Sequence, residues 1–164
     1  MQFITKEDID APIEAVFEML CDFEVFERAA MRRGAEVQRL EKVKEPGLGM
    51  GWQAKFDYRG KRRELELEIV EFKRPDGIAV ASTSPGMLSR TSFDLMALSK
   101  TKTRVNVSLE LKPQVLSARL LVQSLKLAKA TLSKRFEKRV ADYARSMEER
   151  HARENGDVQL GPST

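Results

Sequence analysis

Cysteine and histidine are almost absent from this chain of 164 residues, which contains one of each, Cys21 and His151. A lone cysteine cannot close an internal disulfide, and the sequence has no Cys/His cluster of the kind that binds zinc. One histidine near the C-terminus also disfavours Ser-His-Asp and Cys-His nucleophile systems, because each needs a histidine beside its nucleophile. The sequence therefore predicts a function that uses no metal and no cofactor.

Long apolar runs are missing as well. No run approaches the roughly 18–20 residues that a membrane-spanning helix needs. The first ten residues carry Lys6, Glu7, Asp8 and Asp10, and they lack the apolar stretch of a secretory signal peptide. We therefore expect a cytoplasmic protein without a membrane span.

The residues that are abundant describe a globular chain, with 41% hydrophobic and 33% charged residues. Its length suits a single domain. The net charge is +4, and the segment from Gln114 to Glu154 supplies the excess with ten basic and five acidic residues. Because this charge belongs to one segment and no pattern of stacking aromatic residues accompanies the basic clusters, the sequence disfavours nucleic-acid binding.

Hydrophobic periodicity divides the chain into recognisable elements. A β-prone segment, Gln2 to Ile9, is followed by two short amphipathic helices. Strand-like alternation is clearest from Trp52 to Tyr58 and from Val105 to Leu111, and a change of parity at Ile69-Val70 predicts a β-bulge. After the last strand, apolar residues recur every three or four positions, which predicts one long helix that ends at Asn155-Gly156.

The order of these strands and helices along the chain predicts an α+β fold. A curved antiparallel sheet of about seven strands wraps around a long C-terminal helix, and two short helices follow the first strand. No repeat or linker marks a second domain. We therefore expect one domain over residues 1–154 and a flexible tail over residues 155–164.

Several local motifs follow one another along the chain. Their residues are Ile9-Asp10-Ala11-Pro12, then Val16-Phe17, Leu20 and Asp22, then Gly47-Leu48-Gly49-Met50-Gly51, Val70-Glu71-Phe72 before Pro75, and Thr103-Arg104-Val105. In this order the motifs resemble the START-like helix-grip superfamily (SRPBCC), which includes polyketide cyclases, lipid-transfer domains and birch-pollen-allergen relatives. The resemblance covers residues 1–145, with Phe26 standing where the family usually has tryptophan.

The resemblance implies a hydrophobic cavity for a small molecule between the sheet and the long helix. It does not imply one reaction, because fold and function are loosely tied. The predicted ligand-binding residues lie on the inward parity of the strands and on the facing stripe of the helix: Trp52, Phe56, Tyr58, Leu67, Ile69, Phe93, Leu95, Val107, Leu121, Leu125 and Leu132. The alternative is that these residues form an ordinary packed core.

Two polar residues on the inward parity are candidates for general acid–base chemistry. Glu7 shares its strand face with Ile9, and a buried carboxylate needs a compensating partner. Tyr58 offers a hydroxyl that could orient a ligand. The alternatives are a solvated Glu7 near the start of its strand and a Tyr58 at the rim of the sheet.

Basic residues form two clusters. They are Arg59, Lys61, Arg62 and Arg63 around a predicted hairpin turn, and Arg28, Arg32 and Arg33 on the second short helix. If the clusters converge, they form a patch for an anionic headgroup or a membrane surface. Otherwise they are solvated charges.

The leading hypothesis is a non-catalytic module that binds or transfers a hydrophobic small molecule such as a lipid, a quinone or a polyketide. The first alternative is a cyclase or dehydratase that uses Glu7 and Tyr58 as acid–base groups in the same cavity. The second is a protein-interaction module, with the helix extension Lys134–Glu154 as the surface for a homodimer or another partner. Peripheral membrane contact is compatible with the basic clusters.

Overall fold

The structure, a computed structural model, describes residues 1–40 and 45–159. Seven strands and four helices occur in these residues. In chain order they are β1 (Gln2–Ile9), α1 (Ile13–Leu20), α2 (Phe23–Arg32), β2 (Glu36–Leu40), β3 (Gly51–Tyr58), β4 (Lys61–Lys73), β5 (Gly77–Ser84), β6 (Met87–Ser99), β7 (Lys102–Pro113), α3 (Leu116–Leu127) and α4 (Lys129–Gln159).

All seven strands join one antiparallel sheet in the order β1-β7-β6-β5-β4-β3-β2. Short turns connect β3 to β7 as a meander, as the breaker residues between the alternating segments predict. At the β3–β4 turn, Arg59 and Gly60 both have positive φ, of 50° and 74°. Two consecutive positive φ values are typical of the tight turn that matches the twist of paired strands. The predicted α+β sheet and its two short helices are confirmed.

The predicted bulge is also present. The pairing of β4 with β5 shifts register between Ile69 and Glu71. Before the shift, Leu65, Leu67 and Ile69 face the inside of the sheet, and after it Phe72 does so. The bulge therefore lets one long strand keep apolar residues on the inner face while it bends.

Helices α1 and α4 cover the β1 end of the sheet. Val16, Phe17 and Leu20 of α1 are buried, and α4 packs more closely on β1 than on any other element. Phe136 of α4 meets Phe3 of β1 with 5.8 Å between ring centroids. These contacts form the part of the core at β1, and the same core continues through Ile78, Ile69 and Trp52 to β3.

The C-terminal segment differs from the single helix that the sequence predicts. It is divided at Ala128, whose N–H donates to the carbonyl oxygen of Leu125 at 3.0 Å. This bond spans three residues and tightens the last turn of α3. The periodicity carries no trace of the break, because Ala118 of α3 and Val140 of α4 would share one face of an uninterrupted helix.

Helix α4 also extends past Asn155 and Gly156, where the sequence predicts its end, to Gln159. Arg150 donates to Glu154 at 3.2 Å, and His151 and Asn155 share a hydrogen bond of 3.0 Å. Such pairs stabilise a helix across one turn, while a glycine inside it costs only about 1 kcal/mol. Residues 160–164 of the predicted tail lie outside the described residues.

Candidate functional site

A cavity of about 390 Å³ lies between α2 and the inner face of strands β2 to β6. This volume falls within the range of ligand sites in proteins. The residues that line it are Leu20, Phe23, Phe26, Glu27, Ala30, Ala35, Val37, Trp52, Ala54, Phe56, Leu65, Leu67, Ile78, Val80, Ser82, Thr91 and Phe93. All but three of them are apolar.

Helix α2 forms the roof of the cavity. Phe23, Phe26, Glu27 and Ala30 follow the spacing i, i+3, i+4 and i+7, so they share one helix face. Phe23 packs edge-on against Trp52 at 5.2 Å, and Phe26 approaches Phe93 at 6.4 Å between ring centroids. These aromatic contacts connect the roof to the floor at both sides of the cavity.

Alternate residues of the strands form the floor. Side chains at i, i+2 and i+4 of a strand point to the same face, so Ile78, Val80 and Ser82 of β5 all reach the cavity. Val80 pairs with Thr91 of β6. Ser82 and Thr91 are therefore diagonal neighbours, and together they place two hydroxyl groups in an otherwise apolar floor.

Glu27 is the acidic residue of the cavity wall. Its carboxylate accepts hydrogen bonds from Nη2 and Nε of Arg39, at 2.7 and 3.1 Å, and from Nε1 of Trp52 at 2.9 Å. The guanidinium compensates the negative charge, and the indole fixes the orientation of the carboxylate. Through these hydrogen bonds Glu27 connects the roof of the cavity to β2 and β3.

Tyr143 of α4 lies behind Phe26, with 5.1 Å between their ring centroids. Its hydroxyl is buried without a hydrogen-bond partner among the described residues. Burial, reinforced by the nearby carboxylate of Asp22, raises the pKa of Tyr143 well above its usual value. Tyr143 does not line the cavity, so its hydroxyl remains a protonated group behind the aromatic wall.

The predicted ligand-binding residues separate into four groups. Trp52, Phe56, Leu67 and Phe93 line the cavity. Ile69, Leu95 and Val107 are buried in the core outside it, while Tyr58 is 41% exposed at the end of β3. Leu121, Leu125 and Leu132 lie on α3 and α4 and do not border it, because α2 rather than the C-terminal segment covers this half of the sheet.

The structure does not bring the two candidate acid–base residues together. Glu7 is half-buried on the inner face of β1, as its parity predicts, but it does not line the cavity. Tyr58 lies on β3, five strand positions away in the sheet order. With about 4.8 Å between neighbouring strands, this separation is roughly 24 Å when it is measured along the curved sheet.

Sequence reasoning missed Ser82 and Glu27 of the cavity wall. Ser82 has the same parity as Ile78 and Val80, so alternation along β5 was a usable signal. Glu27 follows Phe23 by four residues, which places it on the apolar face of α2. The pairing of Glu27 with Arg39 had no such signal, because it depends on how α2 lies across β2.

Within residues 1–40 and 45–159, no group of three or more His, Cys, Asp or Glu residues is placed to hold a metal ion. None of the helices described there has the length and hydropathy to cross a membrane.

Comparison with solved structures places this architecture among known folds. The Zhui aromatase/cyclase of Streptomyces sp. R1128 matches with a TM-score of 0.59 and 15% identity, over 88% of this chain and 93% of that one. Norcoclaurine synthase of Thalictrum flavum, in complex with dopamine and hydroxybenzaldehyde, matches with a TM-score of 0.57 and 11% identity, over 87% of both chains. A START superfamily protein of Mycobacterium smegmatis matches with a TM-score of 0.53 and 12% identity, over 84% of this chain and 97% of that one.

No family model matches the chain, and no curated protein matches it in sequence. The structural matches show that the chain has the helix-grip fold, so the resemblance found in the sequence is confirmed at the level of the fold. At these identities they carry no assignment of activity.

Proposed function

We propose that this protein binds a hydrophobic small molecule, of the size of a lipid, quinone or polyketide, in the cavity between α2 and the sheet. The observation that carries the proposal is the cavity itself, which is apolar except for Ser82, Thr91 and the compensated Glu27. An apolar ligand gains about 0.8 kcal/mol for each CH₂ group that it buries there. The two hydroxyls offer hydrogen bonds that orient one polar group of the ligand.

Binding rather than catalysis is the function that the wall residues favour. General acid–base chemistry needs a group that can exchange a proton beside the ligand. Glu27 is engaged by Arg39 and Trp52, and Ser82 and Thr91 have no adjacent base among the lining residues. An aromatase/cyclase has a similar fold, so an enzymatic function is the alternative. Turnover of a polyketide substrate by the purified protein would support that alternative.

The helix extension Lys134–Glu154 is less suited to a partner than the sequence suggested. Val140, Ala144 and Met147 on this extension are buried within the chain itself. Its apolar stripe is therefore already used against β1 and α1. Homodimer formation and a cytoplasmic location stay predictions.

Adjacent residues on opposite faces of β5 provide the test. Ser82 points into the cavity, whereas Thr83 is exposed on the outer face of the sheet. We expect Ser82→Phe to fill part of the cavity and to weaken binding of the neutral fluorescent probe N-phenyl-1-naphthylamine at least tenfold, with Thr83→Phe unchanged. Native mass spectrometry of the purified wild type supplies an independent search for a co-purifying ligand.

Equal probe binding by the two variants, at equal thermal stability, would show that the probe binds elsewhere. Absence of both probe binding and a co-purifying ligand in the wild type would refute the proposed function.

A further inference from the structure

The inner face of the β3–β4 hairpin changes from apolar to cationic at one cross-strand pair. Trp52 faces Leu67, and Ala54 faces Leu65, and all four line the cavity. The next inward pair is Phe56 with Arg63. Because residues two apart on a strand share a face, Arg63 lies on the same face as the cavity floor.

Arg63 differs from the other charged residues around this turn. Arg62, on the outer face, is paired with Glu36 at 2.8 Å and with Asp57 at 3.4 Å. The side chain of Arg63 is half-buried, and its Nε is buried without a hydrogen-bond partner among residues 1–40 and 45–159. Its guanidinium lies 5.9 Å from the centre of the Tyr58 ring, and it makes no ion pair with the described part of the chain.

A buried cationic donor without a partner is costly, so a group that accepts its hydrogen bond is stabilising there. Carboxylates and phosphates match the planar donors of a guanidinium. Arg63 pairs with Phe56, the last cavity residue on β3.

The cavity is polarised along its length. Glu27 contacts Trp52, and Arg63 pairs with Phe56, four residues further along β3. Four residues of strand span about 13 Å. Arg39 compensates the charge of Glu27 at one end, whereas Arg63 at the other end has no ion-pair partner among the described residues. An anionic group is therefore favoured at the Arg63 end, which imposes one orientation on a ligand that has one charged end.

We propose that the ligand is an amphiphilic anion, with its apolar body under α2 and a carboxylate or phosphate on Arg63. This inference rests on the proposed function, because it assigns a ligand class to the same cavity. A fatty acid and an isoprenoid phosphate share the required chemistry, and the experiment separates them.

The experiment measures displacement of N-phenyl-1-naphthylamine by oleate, by methyl oleate, by farnesyl phosphate and by farnesol. For the wild type we expect at least one of the two anions to bind ten or more times tighter than its neutral partner. Arg63→Gln should remove that preference and leave binding of the neutral ligand unchanged. The matched control is Arg59→Gln, since Arg59 lies on the same turn over the same ring, at 5.4 Å, but at an exposed position.

The outcomes separate the two proposals. If neither anions nor neutral ligands displace the probe, the proposed function fails. If neutral and anionic ligands bind equally well to the wild type, or if Arg63→Gln keeps the preference for the anion, the cavity function stands and the role of Arg63 is overturned. Preference for oleate identifies the carboxylate source, and preference for farnesyl phosphate identifies the phosphate source.

An independent observation concerns the outer face of α3. Leu116, Leu120 and Leu127 are 71%, 62% and 91% exposed. At 100° per residue they lie within about 40° of one another, so they form a single stripe of leucines along the helix. Ala118 and Val122, on the opposite side, are the buried residues of α3. Large exposed apolar patches are uncommon on proteins that have no partner there.

The charge around this leucine stripe has one sign. From Leu111 to Phe136 the chain has six basic residues and no acidic residue. Arg119 and Lys126 flank the stripe on one side of α3, about 60–80° from Leu116 around the helix. A stripe of leucine bordered by basic residues is typical of helices that lie in the interface of an anionic membrane.

We infer that α3 docks on the surface of a membrane that contains anionic lipids, with the leucine stripe inserted and the basic residues at the headgroups. The complementarity of charge selects a lipid surface over a second copy of this chain, because two α3 helices would bring like charges together. Each basic residue near such a surface strengthens binding about fivefold at moderate salt.

Co-sedimentation with vesicles of phosphatidylglycerol and phosphatidylcholine tests this inference against vesicles of phosphatidylcholine alone. We expect the wild type to bind the anionic vesicles at least tenfold more tightly. Replacing the three leucines of the stripe by Gln should abolish this binding without loss of thermal stability, because all three side chains are exposed.

A matched triple variant carries the same chemical change elsewhere, with Ile4→Gln, Met96→Gln and Leu98→Gln at exposed positions of the sheet. It should bind the vesicles as the wild type does. Light scattering measures whether the wild type and the stripe variant are monomers or dimers. Equal sedimentation of both triple variants, or a wild-type dimer that the stripe variant dissociates, would overturn the membrane assignment.

Discussion

Two buried hydroxyl groups show how differently single residues contribute to this fold. Thr103 is fully buried, and its Oγ1 donates to the carbonyl oxygen of Ala11 at 2.8 Å. This bond ties the start of β7 to the connection between β1 and α1. The hydroxyl of Tyr143 is also buried but has no partner in the described residues.

Thr103→Val should lower the free energy of unfolding by about 1–3 kcal/mol, because the carbonyl of Ala11 then stays buried without its donor. Tyr143→Phe removes a hydroxyl without a partner, so it should leave that free energy unchanged or raise it. Urea denaturation of both variants, with the wild type as reference, measures the two values. A destabilising Tyr143→Phe would show that its hydroxyl has a bound partner, such as water.

The surroundings of Cys21 determine the reactivity of its thiol. Burial raises the pKa of the Cys21 thiol to about 11. Since the thiolate is the reactive form, and a free cysteine has a pKa of about 8.5, alkylation at pH 8 should be slower than for a free thiol by a factor on the order of a hundred.

The raised pKa of Cys21 also determines how its alkylation rate changes with pH. A raised pKa keeps the thiol protonated through neutral pH, so the alkylation rate should continue to rise up to about pH 11. Iodoacetamide labelling followed by mass spectrometry measures the rate, and the protein unfolded in urea is the control. A rate that levels off near pH 9 in the folded protein would contradict the burial of this thiol.

At the scale of elements, strands were easier to predict than the placement of helices. Alternation along β3 and β7 defines which residues point inward, because a strand has only two faces. The roof of the cavity was not predictable in this way. Helix α2 and the C-terminal segment are both amphipathic, and periodicity does not tell which of them covers a given strand. The predicted position of the cavity, beside the C-terminal helix, therefore differs from the observed one under α2.

Strands β5 and β6 approach each other closely at Gly77. A Cβ atom on Gly77 would lie 2.4 Å from the backbone oxygen of Phe93, on the neighbouring strand β6. Gly77→Ala therefore requires the two strands to separate, and we expect a loss of about 1–3 kcal/mol in the free energy of unfolding.

Gly47→Ala is the control for this change, since no atom of the described residues lies within 4 Å of a Cβ atom at Gly47. It should alter stability by less than about 0.5 kcal/mol. Thermal and urea denaturation of the two variants compare them, and equal stabilities would contradict the close approach of β5 and β6.

At the scale of the molecule, the two sides of the sheet are covered by different helices. Its β1 side packs on α4, whereas its β2 to β6 side faces the cavity and also contributes Trp52, Ile69 and Ile78 to the core. An ion pair between Asp22, before α2, and Arg150 of α4, at 2.8 Å, connects the cavity roof to the core. The side chains of both residues are partly exposed, so the pair orients the roof more than it stabilises the fold.

A ligand that binds only the folded protein should raise the melting temperature. At a free concentration of one hundred times its Kd it adds about 2.7 kcal/mol, which for a chain of this length corresponds to a rise of roughly 5–10 °C. The best ligand of the displacement experiment should give this shift with the wild type and at most about half of it with Ser82→Phe, which binds at least tenfold more weakly. A shift of equal size in both proteins would show binding outside the cavity.

The pairing of the first strand with the last has a consequence for synthesis on the ribosome. Gln2 lies opposite Glu110, while every other neighbouring pair in the sheet is consecutive in the chain. At about 5–20 residues per second, β1 leaves the ribosome on the order of 5–20 s before its partner exists. During that time the apolar residues Phe3 and Ile9 have no strand or helix to cover them. We therefore expect β1 to join the sheet only after β7 is translated, and helix α4, which packs on β1, follows later still.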